Sequence, residues 1–572
     1  MPVRKRHTRN GSENYDADDE KSMSSSTKKL IVTKPKTSES IIVNSPLYGF
    51  LSPFKSAKSQ WMVKYIVILF ALIIRIVVSF GPYSGEHVAP RFGDFEAQRH
   101  WLDLTVNLPI SQWYYYNLEH WGLDYPPLTA YHSLLLGYIG WFIRPEWFQL
   151  DATDGLENEE LKFFMRFTVI VSESLLYIPA VYYYTKWFNK NMDILNKKSS
   201  LNQVLSIAVL LFQPTLILID HGHFQYNCVM LGFALLSLDA MLNDHLMLAS
   251  IFFVFSLTFK QMGLFYAPLV FAYLLGVTFN PFNELLYNIG VFKSRRANKF
   301  DFVNLFLIAL ATVGSFIVVF APLYIFADDG QGFANLKQSI LRIFPFNRGI
   351  FEDKVANFWC TTNTLVKYKN LPVDLLKLSA LGFTVLSILP ACIAIYFNPI
   401  KSLLPWALAS TSWGFFLFSF QVHEKSVLLP LLPTNLLFCY VNDDELFQLL
   451  SWINNIALFS LGPLLKRDKL DLQFYTLTLL SNWLVGNLTP ESLLNNLRSL
   501  FKSFFSVAWF TNWIIFGSTI GAIVLDLVPY FVEAPANLPD LWVVGNITLS
   551  FICFSIFYLY ITYKTCALAI SS

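Results

Sequence analysis

The sequence predicts an all-α polytopic membrane protein, and three observations carry that prediction. Of its 572 residues 54% are hydrophobic, 17% aromatic and 14% charged, too few charges to cover the surface of soluble domains. The apolar residues fall in blocks of roughly 16 to 25 separated by polar loops, and ~20 apolar residues of helix span a ~30 Å hydrocarbon core. The blocks are continuous instead of alternating with period two, which selects helices over a β-barrel. A formal net charge of +2 gives no reason to expect a nucleic-acid partner.

In chain order, residues 1–60 are rich in Ser, Lys and Asp and poor in aromatics, so they cannot bury enough surface to offset the entropy of ordering and are predicted to be a disordered tail. Up to Lys58 this tail carries eleven Lys and Arg against six acids, which places it in the cytosol. The first apolar run, 62–81, lies too far in and is too long for a cleaved signal, and reads as a signal anchor. Loop 83–163 is then luminal; it holds twelve acids, four basic residues and an apolar stretch at 127–143. A span at 127–143 would put the acidic stretch Asp151 to Glu160 in the cytosol and Lys186, Lys190, Lys197 and Lys198 in the lumen, against the positive-inside rule. The stretch is therefore expected to lie at the membrane surface.

Further spans are expected near 164–187, 202–219, 224–242, 246–260, 262–279, 303–326, 374–397, 402–420, 426–442, 446–465, 469–487, 507–530 and 541–562, fourteen with the first. This topology sends four polar stretches to the luminal side, 83–163, 220–223, 327–373 and 421–425, and seven of the nine histidines lie in them. The six cysteines are scattered without metal spacing or pairing, so no disulfide framework is expected. No internal repeat at a short fixed period is visible.

Five constellations could carry chemistry. If 94–107 is helical, Asp94, Gln98 and Trp101 share one face and Arg99 and Asp103 another; Asp94 would stand at the lip of a luminal cavity, where a base for a sugar hydroxyl is needed, unless the helix is only a solvated interfacial one. In Trp121-Gly-Leu-Asp124-Tyr-Pro126-Pro127 the double proline fixes the direction of Asp124, and the neighbouring aromatics Trp113 to Tyr116 either stack on sugar or belong to an interfacial belt. Asp220-His221-Gly-His223-Phe-Gln225-Tyr-Asn227 is a polar knot between two apolar runs, costly unless its groups face a cavity or each other. Its two histidines suit a metal, a ligand or a hydrogen-bonded structural knot, and no carboxylate partner is fixed by spacing. The loop from Arg342 to Cys360 mixes Arg348, Glu352, Asp353 and aromatics, a composition that fits phosphate and sugar hydroxyls as well as a rim of surface ion pairs. Last, Gln421-Val-His423-Glu424-Lys425 sits between apolar runs, where charges either snorkel or serve a site.

Five strings, Gly-Asp-Phe-Glu-Ala-Gln-Arg-His-Trp from Gly93, Leu-Asp-Tyr-Pro-Pro-Leu-Thr-Ala from Leu123, Asp-His-Gly-His-Phe-Gln-Tyr-Asn from Asp220, Phe-Pro-Phe-Asn-Arg-Gly-Ile-Phe-Glu-Asp-Lys-Val-Ala-Asn-Phe-Trp-Cys from Phe344 and Phe-Gln-Val-His-Glu-Lys from Phe420, together resemble the dolichyl-phosphate-glucose α-1,3-glucosyltransferases of N-glycan precursor assembly. The likeness runs from about residue 45 to 565 and is weakest in the tail and between about 465 and 540. At Ile350 to Asn357, and in Glu-Ala-Gln-Arg-His after Asp94, it is similar to the branch that adds the first glucose to the nine-mannose glycan and departs from the sister branch that adds the second.

The resemblance implies a C-type glycosyltransferase fold, with about fourteen transmembrane helices and two interfacial helices in the first luminal loop. It implies an inverting transfer in the endoplasmic reticulum lumen, with dolichyl phosphate β-glucose as donor, a dolichyl-diphosphate oligosaccharide as acceptor, and neither metal nor other cofactor. Asp94 matches the family's base position. His423, then Lys425 and Arg348, are expected to hold the donor phosphate, and Glu96, Asp124, His221, His223, Gln225, Glu352 and Asp353 to contact sugar and acceptor. The chain then divides into the tail 1–60, a catalytic membrane module 61–425 with luminal loops 83–163 and 327–373, and C-terminal helices 426–572. A lipid-linked sugar transporter and a scaffold in a membrane complex are the rival classes; the first would favour inverted repeats and broken helices at the midplane.

Overall fold

Nearly all regular structure is helical, and helix ends follow the punctuation of the sequence. The computed structural model describes residues 44–56, 60–89, 93–119, 121–150, 152–191, 200–291, 297–344, 354–441, 443–501 and 506–571. The first apolar run forms the helix Val63–Ser79. Gly93 leads into Asp94–Asn107, and the double proline starts Pro127–Ile143, where a missing N–H at the first position costs nothing. Asn158 caps Glu159–Leu175 by accepting from the backbone N–H groups of Glu160 and Leu161. Among the described residues strand pairing is confined to Phe279–Asn280 against Lys299–Phe300, antiparallel.

Among the described residues five helical stretches are long and apolar enough to cross a membrane: Glu159–Asn191, Phe302–Ile325, Val373–Phe397, Val507–Tyr530 and Leu541–Ser571. In Phe302–Ile325 and Val507–Tyr530 only 17% and 6% of the most apolar window is buried within the protein. Rows such as Val303, Phe306, Leu310, Val313 and Ile317 therefore face outward, which water disfavours over so large a patch and lipid does not. The chain is a multi-pass helical membrane protein.

The count of fourteen expected spans exceeds these five because several apolar runs are interrupted. Run 202–219 breaks at Gln213: Pro214 has no N–H to continue the ladder, and Leu201–Leu211 meets Pro214–Phe224 at 46°. Runs 224–242, 246–260 and 262–279 form the shorter apolar helices Asn227–Leu242, Leu246–Phe259 and Ala267–Thr278, with Lys260 extended at φ −145° between the last two. Run 446–465 divides into Asp444–Ser460 and Gly462–Arg467, joined at Leu461.

Large side chains bind the helices to one another. Trp413 on Leu404–Phe418 is fully buried and its ring lies 4.8 Å from Phe554 and 5.9 Å from Phe557 of the last helix. One buried charge network ties the front of the chain. Arg75 Nε donates to Glu173 Oε2 at 2.6 Å and its Nη2 to Oε1 at 2.8 Å, while His221 Nε2 lies 2.6 Å from Oε2. All three side chains are fully buried, a position tolerable only because each charge has its partner.

Candidate active site

The polar knot of the sequence folds as a wide π-helical turn, Leu218–Phe224, a rare form frequent at functional sites. Arg166 and Ser84 hold it. Arg166 Nη2 donates to the carbonyls of Gly222 at 2.7 Å and Pro82 at 2.9 Å. The N–H of Ser84 donates to the His223 carbonyl at 3.0 Å, and Ser84 Oγ accepts from the N–H of Phe95 at 3.1 Å, so Ser84 joins the turn to the start of helix Asp94–Asn107. Gly93 is pressed onto the same residue; a Cβ there would lie 2.7 Å from the Ser84 carbonyl carbon.

Phe224 ends the turn at φ 91°, and His223 and Gln225 on either side of this bend both reach Asp94. The segment bearing Lys425 contains Gln421 at φ 56°, and the one bearing Asp468 contains Lys469 at φ 60°. A non-glycine residue in this region costs on the order of 1–3 kcal/mol and persists where its surroundings over-determine it, often at functional sites.

Three donors converge on one oxygen. His223 Nε2 lies 2.8 Å and Gln225 Nε2 2.7 Å from Asp94 Oδ2, and Lys425 Nζ forms an ion pair with the same atom. The other ring nitrogen of His223, Nδ1, lies 2.5 Å from Asp468 Oδ2. With a carboxylate on each side, both ring nitrogens donate. Behind them Lys260 is 2% exposed; its Nζ donates to Gln225 Oε1 at 3.2 Å and Asn227 Oδ1 at 2.8 Å and sits 4.9 Å from the Tyr125 ring centroid. Because Lys260 takes Oε1, the NH2 end of Gln225 is the one turned to Asp94.

Burial works to raise the Asp94 carboxyl, but the Lys425 ammonium and the His223 hydrogen bond outweigh it and hold the group well below the usual carboxylate range. Among the described residues all hydrogen bonds to this side chain go to Oδ2, and the side chain is 31% exposed, so Oδ1 is the atom offered to a ligand. An ionised carboxylate with one oxygen locked and one presented is suited to accept a proton from a bound hydroxyl. Among the described residues no group of three or more His, Cys, Asp or Glu side chains is arranged to hold a metal ion.

A model of the ALG6, ALG8 glycosyltransferase family matches residues 71–560. The chain belongs to this family. It is 46% identical to the dolichyl pyrophosphate Man9GlcNAc2 alpha-1,3-glucosyltransferase of Saccharomyces cerevisiae, over 94% of this chain and 97% of that protein. It is 43% identical to the probable enzyme of the same name in Schizosaccharomyces pombe, over 90% and 94%, and 37% identical to that of Pongo abelii, over 88% and 96%.

In this ALG6, ALG8 family member, Asp94, His223, Gln225 and Lys425 come together as one cluster. His423 lies half-buried two residues before Lys425, at the start of the turn Glu424–Val427. Asp124 stands beside Tyr125, and its carbonyl accepts from Gln261 Nε2 at 3.5 Å. Two of the expected contact residues are committed elsewhere. His221 is turned to Glu173 and Arg75, and Glu96 is buried against Arg99, 2.7 Å from its Nη2, and accepts from the N–H of Gly155 at 3.0 Å. His221 Nε2 and the Glu96 carboxylate meet internal charges, so these two residues brace the turn and the helix that carry the site. Arg348, Glu352 and Asp353 lie outside the described residues.

Sequence reasoning missed Lys260 and Asp468. A lysine that interrupts an apolar run is itself a signal, because an unpaired ammonium at membrane depth is costly. Asp468, inside Lys466-Arg467-Asp468-Lys469, reads as part of an ordinary charged loop and offers no such signal.

Proposed function

We propose that this chain transfers glucose from dolichyl phosphate β-glucose to the nine-mannose dolichyl-diphosphate oligosaccharide, forming an α-1,3 linkage with inversion on the luminal face of the endoplasmic reticulum membrane. The observation that carries the reading is the cluster of an ionised Asp94 with His223, Gln225 and Lys425 in a member of a family whose relatives bear that activity in their names. The mannose 3-hydroxyl attacks the anomeric carbon from the face opposite the phosphate. Its proton passes to Asp94 Oδ1 as the new C–O bond forms, and the old bond to phosphate oxygen breaks to release dolichyl phosphate.

Lys425 has a double use in this scheme. It pairs with Asp94; a donor phosphate beside it shares its charge, weakens its hold on Asp94, and so raises the basicity of the carboxylate when a hydroxyl is in place. His423 and Arg348 are proposed to share the developing phosphate charge, and Asp124, Glu352 and Asp353 to bind sugar hydroxyls. The donor carries its own leaving group, so the step calls for no nucleotide and no resident cofactor.

For topology we propose fourteen spans, with 94–107 and 127–143 as interfacial helices of the first luminal loop, a catalytic module over 61–425 and further helices over 426–572. Ion pairs support the sidedness: Lys401 with Asp244 joins two loops expected in the cytosol, and Lys354 with Asp540 joins two expected in the lumen. Glycosylation tagging tests it; a sequon near Asp154 is modified and one near Lys197 is not. The activity is tested with purified protein, a synthetic glucosyl phospholipid and two acceptors. The nine-mannose acceptor gains one glucose; extension of only the once-glucosylated acceptor would assign the chain to the sister reaction, and transfer to neither would remove the enzymatic reading.

A further inference from the structure

Asp468 belongs to the stretch after residue 426 that was expected to supply only C-terminal helices, yet it closes the cluster around Asp94. Its Oδ2 lies 2.5 Å from His223 Nδ1, across 245 positions of sequence, and the two side chains are 4% and 3% exposed. The loop that presents it is anchored at both ends. Before it, Lys466 Nζ donates to the Asp526 carbonyl at 2.7 Å and pairs with its Oδ1 at 2.9 Å; farther on, Tyr475 donates to Oδ2 of the same Asp526 at 2.6 Å. After it, the fully buried Leu470 packs on Gly222, where a Cβ would lie 3.1 Å from Leu470 Cδ1.

A carboxylate this deep is costly unless a charged or strongly donating group meets it. Here the group it meets spends its other nitrogen on Asp94. An imidazole flanked in this way has its ring direction and its charge fixed together. We infer that Asp468 is a positioning residue for glucosyl transfer, acting through His223 to orient and hold ionised the Asp94 carboxylate. The inference rests on the proposed role of Asp94 as the base.

The same pair could serve only to brace the last helices against the turn, and a kinetic cycle separates the two uses. Asp468→Asn, His223→Gln and the double variant are purified, checked for monodispersity, and assayed with the synthetic donor and nine-mannose acceptor. Asp468→Asn lowers kcat by roughly 10- to 10³-fold, since a neutral partner lets the ring lose a proton and present a bare nitrogen to Asp94, while donor KM changes less than about threefold. Asp468→Glu, which restores the charge, recovers part of the loss. The double variant is no slower than His223→Gln alone, because the aspartate acts through the histidine. Independent, multiplying losses, a kcat for Asp468→Asn within about twofold of the parent, or failure of both Asp468→Asn and Asp468→Glu to yield monodisperse protein would each overturn the inference. An inactive Asp94→Asn beside a normal Asp468→Asn overturns this assignment alone; a normal Asp94→Asn removes the base assignment and this inference with it.

Discussion

Asp94→Asn is the substitution that separates base chemistry from architecture most cleanly. The asparagine carbonyl can occupy the Oδ2 position and go on accepting from His223, Gln225 and Lys425, which leaves the amide NH2 at the Oδ1 position. The local hydrogen bonds survive and the proton acceptor is lost. A positioned general base contributes roughly 10² to 10⁴ in rate, and kcat should fall by that factor. A second effect follows from charge. Lys425 Nζ and His223 Nε2 are 3.4 Å apart, and two unit charges at that separation repel by on the order of 5 kcal/mol at an effective dielectric near 20. Asp94 offsets this repulsion in the parent; in the variant Asp468 still faces His223, and the donor phosphate adds a further anion that offsets it. Donor KM should therefore hold steady or drop while kcat collapses. Steady-state transfer from a synthetic glucosyl phospholipid reads both constants. A kcat within tenfold of the parent, or a donor KM that climbs in step with the loss, would refute the reasoning.

Three further outcomes are expected. Lys260→Met strands Gln225 Oε1 and Asn227 Oδ1 without their buried donor, which destabilises the protein by about 1–3 kcal/mol; thermal unfolding in detergent reads this, and a drop in kcat reads the freed amide. Gly93→Ala drives a methyl to 2.7 Å from the backbone of Ser84, so the start of helix Asp94–Asn107 must move; a shift approaching 1 Å at the base costs roughly 10² in kcat, and turnover near the parent's would contradict it. The third concerns pH. Burial opposes ionisation of Asp94, yet Lys425 and His223 hold its folded value below the unfolded one, so its contribution to stability is present above about pH 4 and is lost as pH falls through the folded value. The midpoint difference between parent and Asp94→Asn should be constant near neutrality and begin to shrink once pH falls below about 4, as thermal unfolding across pH measures; a gap that stays unchanged however far pH is lowered below 4 would count against it.

Much of the architecture was readable because apolar runs and proline positions act locally. Pro126-Pro127 starts a helix where expected, and Lys260 breaks the chain where two runs meet. The span count was less readable, since an apolar stretch shows its composition but not whether Pro214 bends it or where its flanks turn. Motif density led to Asp94, His223, Gln225 and Lys425. It could not tell His223 from His221, because neighbours two apart on a helical turn point nearly opposite ways and only packing decides that one meets Glu173 and the other Asp94. Glu96 is a similar case: Arg99 lies one helical turn away and claims it, a pairing that spacing allows but does not require. Asp468 depended on a tertiary approach across 245 positions, beyond the reach of any local rule.

The loop carrying Asp468 also has a bearing on biogenesis. A ribosome-bound intermediate that has emerged only as far as Lys425 already possesses the base and its cation, yet the nitrogen of His223 that meets Asp468 would still lack its counterpart. Completion of the cluster waits for just over four-fifths of the polypeptide, 468 of 572 positions, to be synthesised. Products that terminate before Gly462 should thus enter the bilayer with most of the motifs in place and still be poor at moving sugar.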